Sequence, residues 1–160
     1  MKNLQALFEH QLKDLYSAED QLIQALPKIA KKAKSKKLKK VIQDHLKETK
    51  EHKKRLKNIT GGLNIDPDGE TCKAMEGLIS EAESFLGEDA DDDVQDAGII
   101  AEIQRMEHYE ISGYGTAAQY ARELEHLDVA RLLYKTLDEE YEADKKLNDL
   151  AEDRINARAQ

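Results

Sequence analysis

Ionisable side chains with helical spacing interrupt an apolar stripe in the second quarter of the chain. His45, Glu48 and His52 are three and four residues apart, so on an α-helix all three project from one face. Val41 and Ile59 share that face, which indicates that it packs against other elements. Because an ionisable group among apolar side chains must be neutralised, paired or bound to a ligand, these residues predict either ion pairs or a metal site.

Other apolar stripes carry carboxylates as well. Glu19, Glu110 and Glu140 each stand within such a stripe, in segments before and after the one that contains Glu48. The interval from Glu19 to Glu48 nearly equals the interval from Glu110 to Glu140. The chain therefore reads as two similar helical hairpins, each with one carboxylate on either helix.

Further potential ligands stand one helical turn from these carboxylates. His52 follows Glu48 and Asp144 follows Glu140, each by four residues, and Glu107 precedes the third carboxylate by one turn. Both spacings keep the paired side chains on one helix face. The predicted metal ligands are Glu19, Glu48, His52, Glu107, Glu110, Glu140 and Asp144.

Two cations at the centre of a bundle would neutralise these groups, since several buried carboxylates cannot all ionise without counter-charge. Carboxylate and imidazole ligands suit iron and manganese. Di-metal carboxylate bundles use a Glu from two helices and a Glu-x-x-His pair from the other two, whereas the pairs here are spaced by four residues. We predict two iron ions, with manganese as the other option, bridged by Glu48 and Glu140. Structural ion pairs without a metal are the alternative.

Three neighbours of these residues are predicted to support the ligands rather than to bind metal. His45 lies near the site, but its counterpart in the second hairpin is Leu137, so we assign it a supporting or core role, with direct metal ligation as the less favoured alternative. Tyr16 and Tyr114 could donate hydrogen bonds to the carboxylates, although core packing is the favoured role.

Apolar residues recur at helical spacing through four long segments, which predicts an all-α protein. Pro27 lies inside the first of them and predicts a kink or a break. Short links would join the helices into two antiparallel hairpins, and the long middle connection favours a ferritin-like four-helix bundle in which this connection crosses the length of the bundle. The predicted helices span 3–34, 35–59, 92–124 and 127–154, with a short extra helix at 71–85.

Composition limits the classes of function. The 160 residues suit one domain. The net charge of −8 argues against general nucleic-acid binding, and we interpret the basic run 31–40 as a solvated helix end, with contact to DNA or an anionic surface as the minority alternative. The single cysteine, Cys72, excludes an internal disulfide. We expect a cytoplasmic protein that has neither a signal peptide nor a membrane partner.

Several stretches resemble the YciE/YciF family of bacterial ferritin-like proteins, which is related to the rubrerythrins. They are Tyr16-Ser17-Ala18-Glu19, His45-Leu46-x-Glu48-Thr49, Cys72-x-Ala74-Met75 and Glu107-His108-Tyr109-Glu110. The resemblance implies a four-helix bundle with a two-metal centre, commonly a dimer, and an association with stress responses. In rubrerythrins an extra Glu on the third helix joins the site, a role that Glu107 would match.

The residues and the resemblance together predict a di-iron oxidoreductase in the stress response, with ferroxidase or peroxide-consuming activity. Its partners would be dioxygen or peroxide and a second copy of the chain. The alternative is a non-catalytic bundle that binds metal or another protein under stress. An iron-storage cage is less favoured, because only one acidic loop could nucleate a mineral.

Overall fold

A computed structural model describes the backbone of residues 1–160 and every side chain except that of Arg154. Long α-helices dominate the chain, and the described residues contain no strand, which confirms the predicted all-α class. The helices are α1 (Leu4–Lys32), α2 (Lys36–Gly62), α3 (Lys73–Phe85), α4 (Asp92–Glu123), α5 (Leu127–Leu150) and, after a π-helical turn at Ala151–Ile155, the short α6 (Asn156–Arg158).

Local sequence signals explain where the first two helices begin and end. The side chains of Asn3 and Ser35 cap α1 and α2 by accepting bonds from backbone N–H groups three residues later. The first helix runs through Pro27 without a break. The second continues through Gly62, beyond its predicted end, and the chain turns at Asn64, which has a positive φ of 57°.

The four long helices form two antiparallel hairpins, α1–α2 and α4–α5. Phe8 near the start of α1 stacks on His126 just after α4, whereas Asp14 accepts a bond from Tyr109 in the middle of α4, so α1 and α4 are antiparallel. It follows that α2 and α4 run in the same direction. The connection between them must therefore cross the length of the bundle, as in ferritin-like folds.

The short helix α3 lies on this crossing connection and packs against α1 and α4. Its start is fixed by Cys72, whose backbone N–H donates to Ser17 Oγ at 2.9 Å and whose carbonyl accepts from Gln21 Nε2 at 3.1 Å. Its end is fixed by the ring of Phe85 over Gly98, where an added Cβ would lie 1.9 Å from a ring carbon. The absence of a side chain at Gly98 thus permits the docking of α3.

Buried apolar side chains form two clusters along the bundle. On α2, Ile42 belongs to one cluster and Leu56 to the other, and on α5 the same division separates Leu147 from Leu133. Between the clusters, each long helix contributes buried polar residues. This polar layer crosses the middle of the bundle. None of the described helices combines the length and apolar character that a membrane crossing needs.

Candidate metal centre

Buried histidine and glutamate side chains meet in the polar layer in two groups that share one residue. The first, the His45 cluster, consists of His45, Glu107, Glu110 and Glu140. The second, the His52 cluster, consists of Glu19, His52 and Glu140. Within each cluster the potential ligand atoms lie within 4.8 Å of one another. All four long helices therefore contribute to one site.

Nitrogen and oxygen atoms approach closely in both clusters. His45 Nε2 lies 2.8 Å from Glu107 Oε1, and His52 Nδ1 lies 2.8 Å from Glu140 Oε1 and 3.6 Å from Glu19 Oε1. None of these contacts has the geometry of a hydrogen bond. Nitrogen and oxygen atoms that lie close together without hydrogen bonds between them are the arrangement expected of side chains that face one metal ion.

The burial of these groups shifts their ionisation. Burial raises the pKa of Glu19 to about 7 and that of Glu107 to about 8. Burial and the nearby Glu140, Glu19 and Glu107 raise the pKa of Glu110 well above its usual range. Without a cation, the site must therefore retain protons near neutral pH.

The histidines respond to the same carboxylates. Burial lowers the pKa of His45, but the adjacent Glu107 outweighs this effect and the pKa ends well above its usual value. The pKa of His52 is also raised, because its contacts with Glu140 and Glu19 outweigh burial. Conversely, burial raises the pKa of Glu140, and the two histidines then lower it below its usual value.

The donor set fits two divalent cations. Four ionised carboxylates and two neutral imidazoles balance the charge of two such ions. The same composition, four Glu and two His, holds the metals in di-iron and di-manganese bundles. Here both histidines come from α2 and two of the carboxylates come from α4.

Side chains outside the clusters orient the ligands. His52 Nε2 lies 3.0 Å from Glu139 Oε2 in hydrogen-bonding geometry, and Arg55 Nη1 donates to the same oxygen at 2.7 Å. With its proton on Nε2, His52 turns the lone pair of Nδ1 towards the cluster. On the other side of the site, the hydroxyl of Tyr114 donates to Glu19.

The structure brings together five of the seven predicted ligands, namely Glu19, His52, Glu107, Glu110 and Glu140. It does not bring in Glu48, whose side chain is 35% exposed and lies 3.4 Å from Lys146 Nζ. It also leaves out Asp144, which accepts a bond from Gln104 Nε2 at 2.9 Å and lies 3.3 Å from His108 Nε2. The ligand roles of Glu48 and Asp144 stay predictions.

The positions of Glu48 and Asp144 at the edge of the buried faces of α2 and α5 explain these two departures. The predicted face of α2 included Val41 and Glu48, but Ile42 and Thr49 occupy the buried positions. On α5 the buried residue is Ala143 and not its neighbour Asp144. One residue rotates a side chain by about 100° around a helix, which is enough to move it out of the site.

Of the three predicted supporting residues, two lie at the site. His45 belongs to a cluster instead of standing behind it, and Tyr114 bonds to Glu19. Tyr16 contacts Lys53, whose Nζ lies 5.0 Å from the centre of the ring. From its spacing Glu139 reads as a flanking, solvated residue, and Arg55 carries no signal, because the spacing along one helix does not report a contact between α2 and α5.

The similarity of this chain to known proteins agrees with the observed fold and with the family resemblance of the sequence stretches. The chain is 40% identical over 161 residues to protein YciF of Escherichia coli (strain K12), covering 100% of this chain and 97% of the relative. The crystal structure of the E. coli stress protein YciF superposes with a TM-score of 0.94 at 41% identity, over 98% of this chain and 99% of that one. The structure of YcfI, a proposed structural protein from Rhodopseudomonas palustris, superposes with a TM-score of 0.90 at 42% identity, over 92% and 94% of the two chains.

Residues 3–160 match the sequence profile of one family, described as a domain of unknown function, DUF892. This match spans nearly the whole chain, and the similarity to YciF agrees with the resemblance found in the sequence stretches. The chain therefore belongs to the DUF892 family and is similar over its whole length to the stress protein YciF.

Proposed function

We propose that this protein binds two ferrous or manganous ions in the polar layer and acts as a di-metal oxidoreductase under stress. One observation carries the proposal. Eleven buried side-chain nitrogen and oxygen atoms lack a hydrogen-bond partner in the described part of the chain, and all but Glu102 Oε2 belong to the two clusters. Because each unpaired buried polar atom costs stability, their concentration in one place fits side chains that bind cations.

The arrangement assigns a role to each residue of the two clusters. Glu140 is shared by both clusters and would bridge the two ions. Glu110 interacts with carboxylates of both clusters and would form the second bridge. The remaining residues pair off as terminal ligands, His45 with Glu107 for one ion and His52 with Glu19 for the other.

The ligands of both clusters would hold two ferrous ions, which would supply the two electrons that, with two protons, reduce dioxygen to hydrogen peroxide or hydrogen peroxide to two water molecules. The chain provides the environment for this reaction. The apolar clusters on both sides exclude water, which strengthens electrostatic interactions at the site. Glu19 and Glu107, which retain protons near neutral pH in the metal-free protein, release them when cations bind.

Metal analysis of the purified protein tests the proposal. Protein prepared without added metal is incubated with ferrous iron under anaerobic conditions, desalted and analysed for iron. We expect about two ions per chain and oxidation of this iron on addition of dioxygen or peroxide. Iron content near zero after incubation would contradict the proposal.

A structural or interaction protein is the second candidate function. YciF is described as a stress protein and YcfI as a proposed structural protein, and neither description requires catalysis. A bundle that folds stably without metal uptake would favour this candidate. In either case we expect a homodimer, which sedimentation equilibrium can test.

A further inference from the structure

A small cavity lies between α2, α4 and α5, beside the His45 cluster. Its volume is about 90 Å³. Five of its nine lining residues are aliphatic, namely Val41, Ile42, Ile103, Ala143 and Leu147, and the other four are Asp44, His45, Glu48 and Lys146. Ile103 and Ala143 stand one helical turn from Glu107 and Glu140 respectively, so the cavity ends next to the ligands.

The two ends of the cavity differ in character. At the inner end lies the ring of His45, which is 5% exposed and whose Nδ1 lies 3.7 Å from Glu48 Oε2, beyond hydrogen-bonding distance. At the outer end lie the charged side chains of Glu48 and Lys146, which are 35% and 48% exposed and 3.4 Å apart. The cavity therefore leads from a charged opening at the surface towards the back of a proposed ligand.

We propose that this cavity admits dioxygen to the metal centre. This inference rests on the proposed function, and it selects dioxygen rather than peroxide as the oxidant. A water molecule occupies about 30 Å³ in the liquid and needs two to four polar partners when buried, whereas five of the nine lining residues offer only aliphatic side chains. Hydrogen peroxide is polar and would lose its hydrogen bonds to water on entering. Dioxygen is small and nonpolar, so the cavity can hold it without this loss.

Xenon binding tests the cavity without reference to activity. Xenon is a nonpolar probe that occupies dry apolar cavities, and crystals of the 160-residue protein can be pressurised with it. We expect xenon density between Ile103 and Ala143, and its loss in Ala143→Leu, which fills the space. Ala101→Leu adds the same side chain at an exposed position of α4 and should keep the xenon. Absence of xenon from the unsubstituted protein would overturn the proposal.

Oxidation kinetics test the route. In the iron-loaded protein, Ala143→Leu should slow oxidation by dioxygen about tenfold while iron content and the rate with peroxide stay unchanged. Val41→Phe, which narrows the cavity on α2 away from Glu140, should reproduce the effect if Ala143→Leu disturbs folding. An unchanged dioxygen rate, or equal slowing with both oxidants, would overturn the inference. Failure to take up iron would overturn the proposed function and the dioxygen route together. The xenon experiment would still show by itself whether the cavity admits a nonpolar molecule.

Discussion

Glu140 contributes to both clusters, so its loss should affect both proposed metal positions. We expect Glu140→Ala to take up less than about a tenth of the iron bound by the unsubstituted protein. Glu48→Ala should retain most of the iron, because Glu48 lies at the surface beside Lys146. Iron content after anaerobic loading and desalting measures both effects.

The matched control for this pair is Glu142→Ala, which removes an exposed carboxylate from the same helix as Glu140. It should bind iron normally. If Glu48→Ala loses iron as completely as Glu140→Ala, the Glu48 side chain turns inward on metal binding and is a ligand, as its spacing from His52 predicts.

Glu139 is expected to act through His52 rather than on metal. Arg55 overcomes the effect of burial on Glu139 and holds its pKa below the usual value, so it accepts a bond from His52 as a carboxylate. Glu139→Gln removes the charge and keeps an acceptor. We expect metal affinity to fall by about 10- to 100-fold with little change in thermal stability.

Competition with a chelator of known affinity measures this loss. Glu142→Gln provides the exposed control on the same helix. A merely structural role for Glu139 would lower the melting temperature and leave the dissociation constant of the metal unchanged, and that result would contradict the positioning role.

At the scale of the element, local patterns were sufficient to predict four long helices and the short one. The caps at Asn3 and Ser35 and the apolar periodicity act within a few residues of chain, so they are visible in the sequence. Local patterns were not sufficient, however, to predict whether Glu48 or Thr49 is the buried residue. The buried residue depends on the rotation of α2 about its axis, which is set by packing against α1 and α5. A stripe of apolar residues that is wider than one position does not determine this rotation.

The docking of α3 gives a test at this scale. An added Cβ at Gly98 would lie 1.9 Å from the Phe85 ring, so Gly98→Ala should displace the ring and destabilise the protein by about 1–3 kcal/mol. Chemical denaturation measures the change. Gly77→Ala is the control, because no atom lies within 4 Å of its added Cβ and α3 gains a better helix former.

The Phe85 ring can be removed to check the cause. In the double variant Gly98→Ala with Phe85→Ala, the cost of the alanine at position 98 should largely disappear, which a double-mutant cycle would show as coupling. Equal costs of Gly98→Ala with and without the ring would mean that α3 docking does not depend on this contact.

For the whole molecule, the hairpins and the crossing connection follow from link lengths, which explains why the topology could be predicted. The contact between α2 and α5 through Arg55, Glu139 and His52 could not be predicted, because no pattern within one helix carries information about the neighbouring helix. The same limitation applied to Glu107 and His45, which lie on different helices and approach within 2.8 Å. The groups of the site were thus predictable one helix at a time, and their pairing across helices was not.

The metal-free protein should lose stability as the pH rises. The folded-state pKa values of Glu19 and Glu107, about 7 and about 8, exceed the usual 4.5, so between these limits the folded chain binds more protons than the unfolded chain. The unfolding free energy therefore falls with rising pH. The raised pKa values of His45 and His52 act in the same direction above pH 6.5.

Bound metal should reverse this trend, because cations bind the deprotonated ligands and stabilise only the folded state. Melting temperatures recorded at about pH 5.5, 7 and 8.5, with a chelator or with manganous ion, measure both effects. We expect a falling series with the chelator and a difference between the two series that widens as the pH rises. A melting temperature that is constant or increases with pH in the chelator series would mean that the carboxylates of the polar layer already ionise without cost. In that case the buried, unpaired oxygen atoms would no longer indicate that the site binds two cations.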